Sequence, residues 1–96
     1  MFTLPGAVRS LSFTKSGFHL LAGNDDGVIV LFDIARGVAI ETVSTCQTRA
    51  IWSIDVSWDD SLVAIGTEVG SIELYSLKKM LRDEGRQKAS EPFKRE

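Results

Sequence analysis

One cysteine, one histidine and two prolines are all that the 96 residues hold of these types. A lone Cys46 cannot close an internal disulfide, so nothing in the chain calls for an oxidising compartment and an intracellular setting is expected. No apolar run approaches the roughly 18 residues of a membrane span. The opening Met1-Phe2-Thr3-Leu4-Pro5-Gly6 also lacks the basic flank and apolar stretch of a secretion signal. A soluble chain with no membrane partner is the expectation. Few prolines, with 44% hydrophobic and 25% charged residues, exclude collagenous, low-complexity and disordered classes. What remains is one small globular domain, which at 10.5 kDa buries so modest a share of its surface that it needs a staple or a partner.

Charge of one sign is scarce in the body of the chain. Residues 1–77 carry only Arg9, Lys15, Arg36 and Arg49 against nine carboxylates, a net −5, while residues 78–96 carry a net +3. An acidic body is poorly suited to grip a phosphate backbone, and the tail is too mixed in sign to be a basic arm, so no direct nucleic-acid partner is expected.

What the chain does have is a repeat. At a shift of 43 residues, with no gap, Ala7-Val8-Arg9-Ser10-Leu11-Ser12-Phe13 overlays Ala50-Ile51-Trp52-Ser53-Ile54-Asp55-Val56. Gly23 then falls on Gly66, Gly27 on Gly70, Ile29 on Ile72, Leu31 on Leu74 and Phe32 on Tyr75. A period of about 40–45 residues is the length of one four-stranded propeller blade.

Each copy reads as short strands. Residues 8–13 and 51–56 are rich in β-branched and aromatic types and are followed by the turn residues Lys15-Ser16-Gly17 and Asp59-Asp60-Ser61. Second strands are expected at 19–24 and 62–67, then tight turns at Asp25-Asp26-Gly27 and Glu68-Val69-Gly70 in which glycine supplies a positive φ. Third strands follow at 28–34 and 71–77. The first copy turns through Ala35-Arg36-Gly37 into a fourth strand at 38–44. The second turns instead into helical spacing, with Leu77, Met80 and Leu81 on one face and Glu84 set to pair with Lys88. Gly85 weakens that helix and Ser90-Glu91-Pro92 should end it. The organisation expected is an edge strand or linker at 1–5, one blade at 6–46, a second at 47–77, and a charged helical or disordered tail at 78–96. The fold class is all-β, two blades of an incomplete propeller.

These residues resemble the WD-repeat (WD40) β-propeller family, whose blades end the third strand in Trp-Asp and open with Gly-His. Here the strand ends read Phe32-Asp33 and Tyr75-Ser76, and Pro5-Gly6 and Thr48-Arg49 stand where the histidine would be. The family's buried Asp-His-Ser/Thr-Trp network therefore does not carry over. Ser10 and Ser53 match its serine and Asp26 its turn aspartate, whereas Val69 departs from it. Within the family, Ser10-Leu11-Ser12-Phe13, Asp26-Gly27-Val28 and Leu31-Phe32-Asp33-Ile34 with Gly37 are similar to the last blades of the WD-repeat subunit of the transcription factor TFIID. That resemblance implies a nuclear scaffold of transcription initiation with no cofactor.

Enzymatic readings find little footing. His19 opens a second strand, Cys46 has no paired histidine, and Asp25-Asp26 and Asp59-Asp60 lack the alternating spacing of a calcium loop and read as solvated turn residues. Gly23, Asp26, Gly27, Gly66 and Gly70 are assigned as structural turn residues, with neither metal nor cofactor. Arg9 and Trp52 overlay each other on the first strands, and strict alternation puts them on the face of Leu11 and Phe13 or Ile54 and Val56. Arginine and tryptophan are enriched where partners bind, so these two are the partner-binding candidates, against the alternative that Trp52 packs between blades. Trp58 is expected to pack locally over Asp59-Asp60.

Two functions follow. One is a non-enzymatic scaffold whose partners are proteins, subunits of a larger complex or the missing blades. The other is a self-contained β-sandwich binding module, which the strand count permits, although a gapless repeat is foreign to it. Two blades cannot close a ring, and the first reading accordingly leaves an apolar face at each end.

Overall fold

The computed structural model describes residues 1–45 and 49–82, so Cys46 and the expected Glu84–Lys88 pair lie outside the described residues. Seven strands and one helix are found among them: β1 (Val8–Phe13), β2 (His19–Asn24), β3 (Val28–Asp33), β4 (Val38–Ser44), β5 (Ile51–Val56), β6 (Leu62–Thr67), β7 (Ile72–Ser76) and α1 (Leu77–Arg82). They form two antiparallel meanders, a sheet ordered β1-β2-β3-β4 and a sheet ordered β5-β6-β7. Each strand pairs with its neighbour in sequence, as a blade requires. A sandwich of immunoglobulin kind would interleave its strands by Greek-key crossings, so this ordering is not that of the immunoglobulin-like β-sandwich.

The two sheets pack face to face over one core. From the first come Leu21, Ile29, Leu31 and Val43, and from the second Ile51, Val56, Val63, Ile65 and Tyr75, all no more than 2% exposed. Period-two alternation selects these residues: Leu21 pairs with Leu31 and Ile29 with Val43 on one face, and Val63 pairs with Tyr75 on the other sheet. α1 completes the core by inserting Leu77 and Met80, the face its spacing predicts.

A second, smaller cluster lies on the outer face of the first sheet, where Ala22, Val30 and Phe32 are partly covered by Phe2 and Leu4. Residues 2–4, expected within an edge strand or linker at 1–5, are not an edge strand. They form no ladder, and Phe2 instead packs its ring on Phe32, with centroids 4.3 Å apart. Apolar burial on the sheet face thus outcompetes pairing at the sheet edge.

Turn chemistry differs in detail from expectation. Gly27 and Gly70 do sit at positive φ (83° and 89°), where a side chain would be strained. Gly23 and Gly66, in contrast, lie inside β2 and β6, and they are required for closeness rather than for a turn. A Cβ at Gly23 would come 2.7 Å from Ile51 of the neighbouring sheet. The β2–β3 turn is organised by Asn24 rather than by Asp26. Fully buried Asn24 accepts the Asp26 and Val28 amides on Oδ1, both at 2.9 Å, and donates Nδ2 to the Pro5 carbonyl at 2.7 Å. Thr67, its counterpart one repeat later, bonds Ser71 Oγ at 2.6 Å across the equivalent turn.

Candidate functional site

Both partner-binding candidates lie on irregularities of the ladder. In β1 the register jumps from Val8↔Asn24 to Ser10↔Gly23, and in β5 from Ile51↔Thr67 to Ser53↔Gly66. Arg9 and Trp52 are therefore the extra residues of two equivalent bulges, each on an edge strand of its sheet. A bulge re-aims the side chain it carries, which is why strict alternation misplaces them. In the second sheet Ile51, Ile54 and Val56 turn toward the core, while Trp52 is 63% exposed and does not pack between the sheets. Trp58, expected to pack locally, is 85% exposed in the β5–β6 turn.

The structure brings β1 and β5 together along the seam between the sheets. Ser10 Oγ donates to the Ile51 carbonyl at 2.8 Å, and Ile51 fills the space left by Gly23. A second tie lies at the strands' far ends. The Asp60 carboxylate accepts the Lys15 amide at 2.7 Å and the Ser16 amide at 3.0 Å. The Lys15 amide, with the Ser16 amide behind it, holds the Asp60 carboxyl below its ordinary range. Asp60 is also the one non-glycine residue at positive φ (59°) among the described residues, at the position that Gly17 holds in the first repeat. Asp59 is lowered too, by the Ser61 hydroxyl and then the Ser57 hydroxyl. These aspartates read as solvated turn residues in the sequence, yet Asp60 is a clasp between sheets.

A comparable contrast appears at the opposite rim. Arg49 reaches Glu68 at 3.3 Å, tying the approach to β5 to the β6–β7 turn. One repeat earlier the same two places hold Gly6 and Asp25. Asp25 Oδ1 is buried against Gly6 and finds no hydrogen-bond partner among the described residues.

Among the described residues no group of three or more His, Cys, Asp or Glu could hold a metal ion. No described helix is long and apolar enough to cross a membrane. His19 opens β2, half-buried, its amide bonded to Thr14 Oγ1 at 3.2 Å. Asn24 and Asp60 were the residues that sequence reasoning missed. Asn24 had a signal, a polar residue closing a strand directly before Asp-Asp-Gly, which is the setting of an Asx turn.

No protein-family model matches the chain. Among curated proteins it is 36% identical over 76 residues to the U3 small nucleolar RNA-associated protein 18 homolog of Arabidopsis thaliana, covering 73% of this chain and 13% of that protein. It is 34% identical over 67 residues to Protein SPA1-RELATED 3 of the same plant, covering 69% of this chain and 8% of the relative. Among solved structures, U3-55K superposes with a TM-score of 0.77 at 12% identity, and the WD40 repeats of RRP9 with 0.76 at 12%. Each match covers 82% of this chain and about a quarter of the other, 26% and 25%. The fold is that of WD40 propeller blades, two of them, and the chain spans only a small part of the proteins it matches.

Proposed function

We propose that these two blades are a non-enzymatic scaffold segment that holds protein subunits together in a nuclear assembly. The observation that carries this reading is where the blades spend apolar surface. One core joins them, yet Leu11, Phe13, Trp52 and Ile72 are 61–78% exposed. Large apolar side chains left exposed on both blades mark surfaces that other chains cover. Arg9 and Trp52, lifted out of the ladder by matched bulges on adjoining edge strands, are the side chains we assign to partner contact.

The nuclear placement draws on the relatives, since one of them is named for association with the U3 small nucleolar RNA and the chain's fold superposes on U3-55K. The contact would be with proteins of such a particle, because the acidic body offers little to a phosphate backbone. The run shared with the TFIID subunit carries less weight. Its positions have structural duties here: Ser10 ties the blades, Gly27 turns the chain, Phe32 packs under Phe2, and Asp33 bonds the Arg36 amide.

The test is co-sedimentation of the purified chain with U3-containing particles from nuclear extract. Wild type should travel with the particle, and the Arg9→Ala, Trp52→Ala double variant should not, while keeping its circular dichroism because both side chains are exposed. Equal migration of the two would remove the assignment of these residues, and wild type left at the top of the gradient would remove the assembly.

A further inference from the structure

The internal repeat makes the two ends of this molecule directly comparable with its middle. Ile29 and Ile72 are the same residue at the same position of successive blades. Ile29 is 1% exposed because the second blade covers it, and Ile72 is 78% exposed. At the other end, Val56 is 2% and Ile51 0% exposed, while their counterparts Phe13 and Val8 are 63% and 48% exposed. Each end is thus one half of the interface that the chain already makes inside itself.

The fine structure of that interface is also present on both ends. Inside the chain, a Cβ at Gly23 would meet Ile51 at 2.7 Å, because Ile51 occupies the recess. At Gly66 the recess is open: a Cβ there would meet only Ser53 Oγ, at 2.8 Å, and no other atom within 4 Å. Ser10 spends its hydroxyl on the Ile51 carbonyl, whereas the hydroxyl of Ser53, its counterpart, has no hydrogen-bond partner among the described residues. The complementary group is Val8, β-branched like Ile51 and placed just before the matching bulge.

We infer that copies of this chain associate head to tail, Val8 of one entering the Gly66 recess of the next and its carbonyl accepting from Ser53 Oγ. Such a contact is heterologous, and it closes into a ring when the rotation allows. Propellers close with about four to eight blades, so two, three or four copies of two blades satisfy the count. Phe2 and Leu4 pack on the Ala22, Val30 and Phe32 cluster of the first blade's outer face and, with Val8, Leu11, Leu20 and Ala22, line a cavity of about 340 Å³ there. The contact between copies is weaker than the internal one, because Gly17 stands where Asp60 supplies the clasp.

This inference draws on the exposed Phe13 and Ile72 faces that the partner reading also cites, but neither Arg9 nor Trp52 enters it, so the variants of the two tests are separate. It is tested by light-scattering mass of the 96-residue chain across concentration, for wild type and for Val8→Asp and Gly66→Val separately. Wild type should reach a fixed mass of two, three or four chains and each variant should run as a monomer. An equimolar mixture of the two variants should give a dimer and stop there, since it has one intact head and one intact tail. The mixture also guards against misfolding, because an unfolded variant forms no dimer, and Ile72→Glu replaces Gly66→Val if that variant fails to fold. A monomeric wild type at every concentration would overturn the inference and assign these faces to blades of another chain. A mass unaffected by the variants, or one that grows without limit, would overturn it as well.

Discussion

The two blades begin their last connection identically and end it differently. Asp33 closes β3 and accepts the Arg36 amide three residues on, at 2.9 Å. Ser76, one repeat later, closes β7 and accepts the Lys79 amide at 3.1 Å. The next position decides. Gly37 takes φ of +71°, donates its amide to the Asp33 carbonyl at 2.9 Å and reverses the chain into β4. Met80 stands at that place in the second blade, and a side chain disfavours positive φ, so the chain continues as α1 and buries Met80 between the sheets. A shared cap thus leads to a strand or to a helix according to whether the following residue has a side chain.

The sharpest way to break the comparison of the blades is to fill their two glycine recesses. Gly23→Val should cost about 3 kcal/mol, the upper end of the overpacking range, because Ile51 already occupies the space. Gly66→Val should cost under about 1 kcal/mol in the monomer, because only the movable Ser53 hydroxyl is near. Urea midpoints of the two variants measure the difference, and equal losses would show that the recesses are not equivalent halves of one design.

Next in size is the turn glycine. Gly37→Ala should lose about 1–2 kcal/mol, the cost of forcing a side chain to positive φ, and should loosen β4. Hydrogen exchange at the β4 amides reads this directly. Unaltered protection would mean that the β3–β4 turn does not depend on its glycine. Removing the caps sharpens the contrast further. Ser76→Ala should lower stability by about 1 kcal/mol through α1, in the ordinary range for an N-cap. A loss of helical ellipticity confined to that variant, absent in Asp33→Ala, would confirm that one cap serves a helix and the other a strand.

The strands were legible because burial and turn chemistry leave marks in composition. Alternating apolar residues bounded by Asp-Asp-Gly or Glu-Val-Gly locate four strand ends, and the other turn residues and the repeat supply the rest. The bulges were not legible. An inserted residue changes parity without changing residue type, so Arg9 and Trp52 read as members of the face that the structure removes them from. Trp52 illustrates the consequence for the site: its residue type marked it for contact, but only the register shows that it is exposed. Asp60 was hidden for another reason. Its partners lie 44 and 45 residues away, and a turn carboxylate carries no local sign that a neighbouring blade will present two amides to it.

The clasp gives the smallest and most specific prediction. Asp60 holds its charge better in the folded chain than in the unfolded one, because the Lys15 and Ser16 amides donate to the ionised form. A carboxyl lowered on folding stabilises the native state fully above its unfolded value, and that contribution is lost as pH falls through the unfolded and then the lowered folded value. The unfolding midpoint of wild type should therefore fall as pH is taken from neutral through the acid range. Asp60→Asn should reduce that fall, though not abolish it, since Asp59 is lowered by Ser61 and Ser57 and contributes with the same sign. Gly17 marks the matching place in the first blade and has no carboxyl, so the part of the pH response that Asp60→Asn removes belongs to the seam between blades, and the part that remains to the Asp59 turn. A wild type and an Asp60→Asn variant with the same pH dependence would show that the two amides hold Asp60 without favouring its charge.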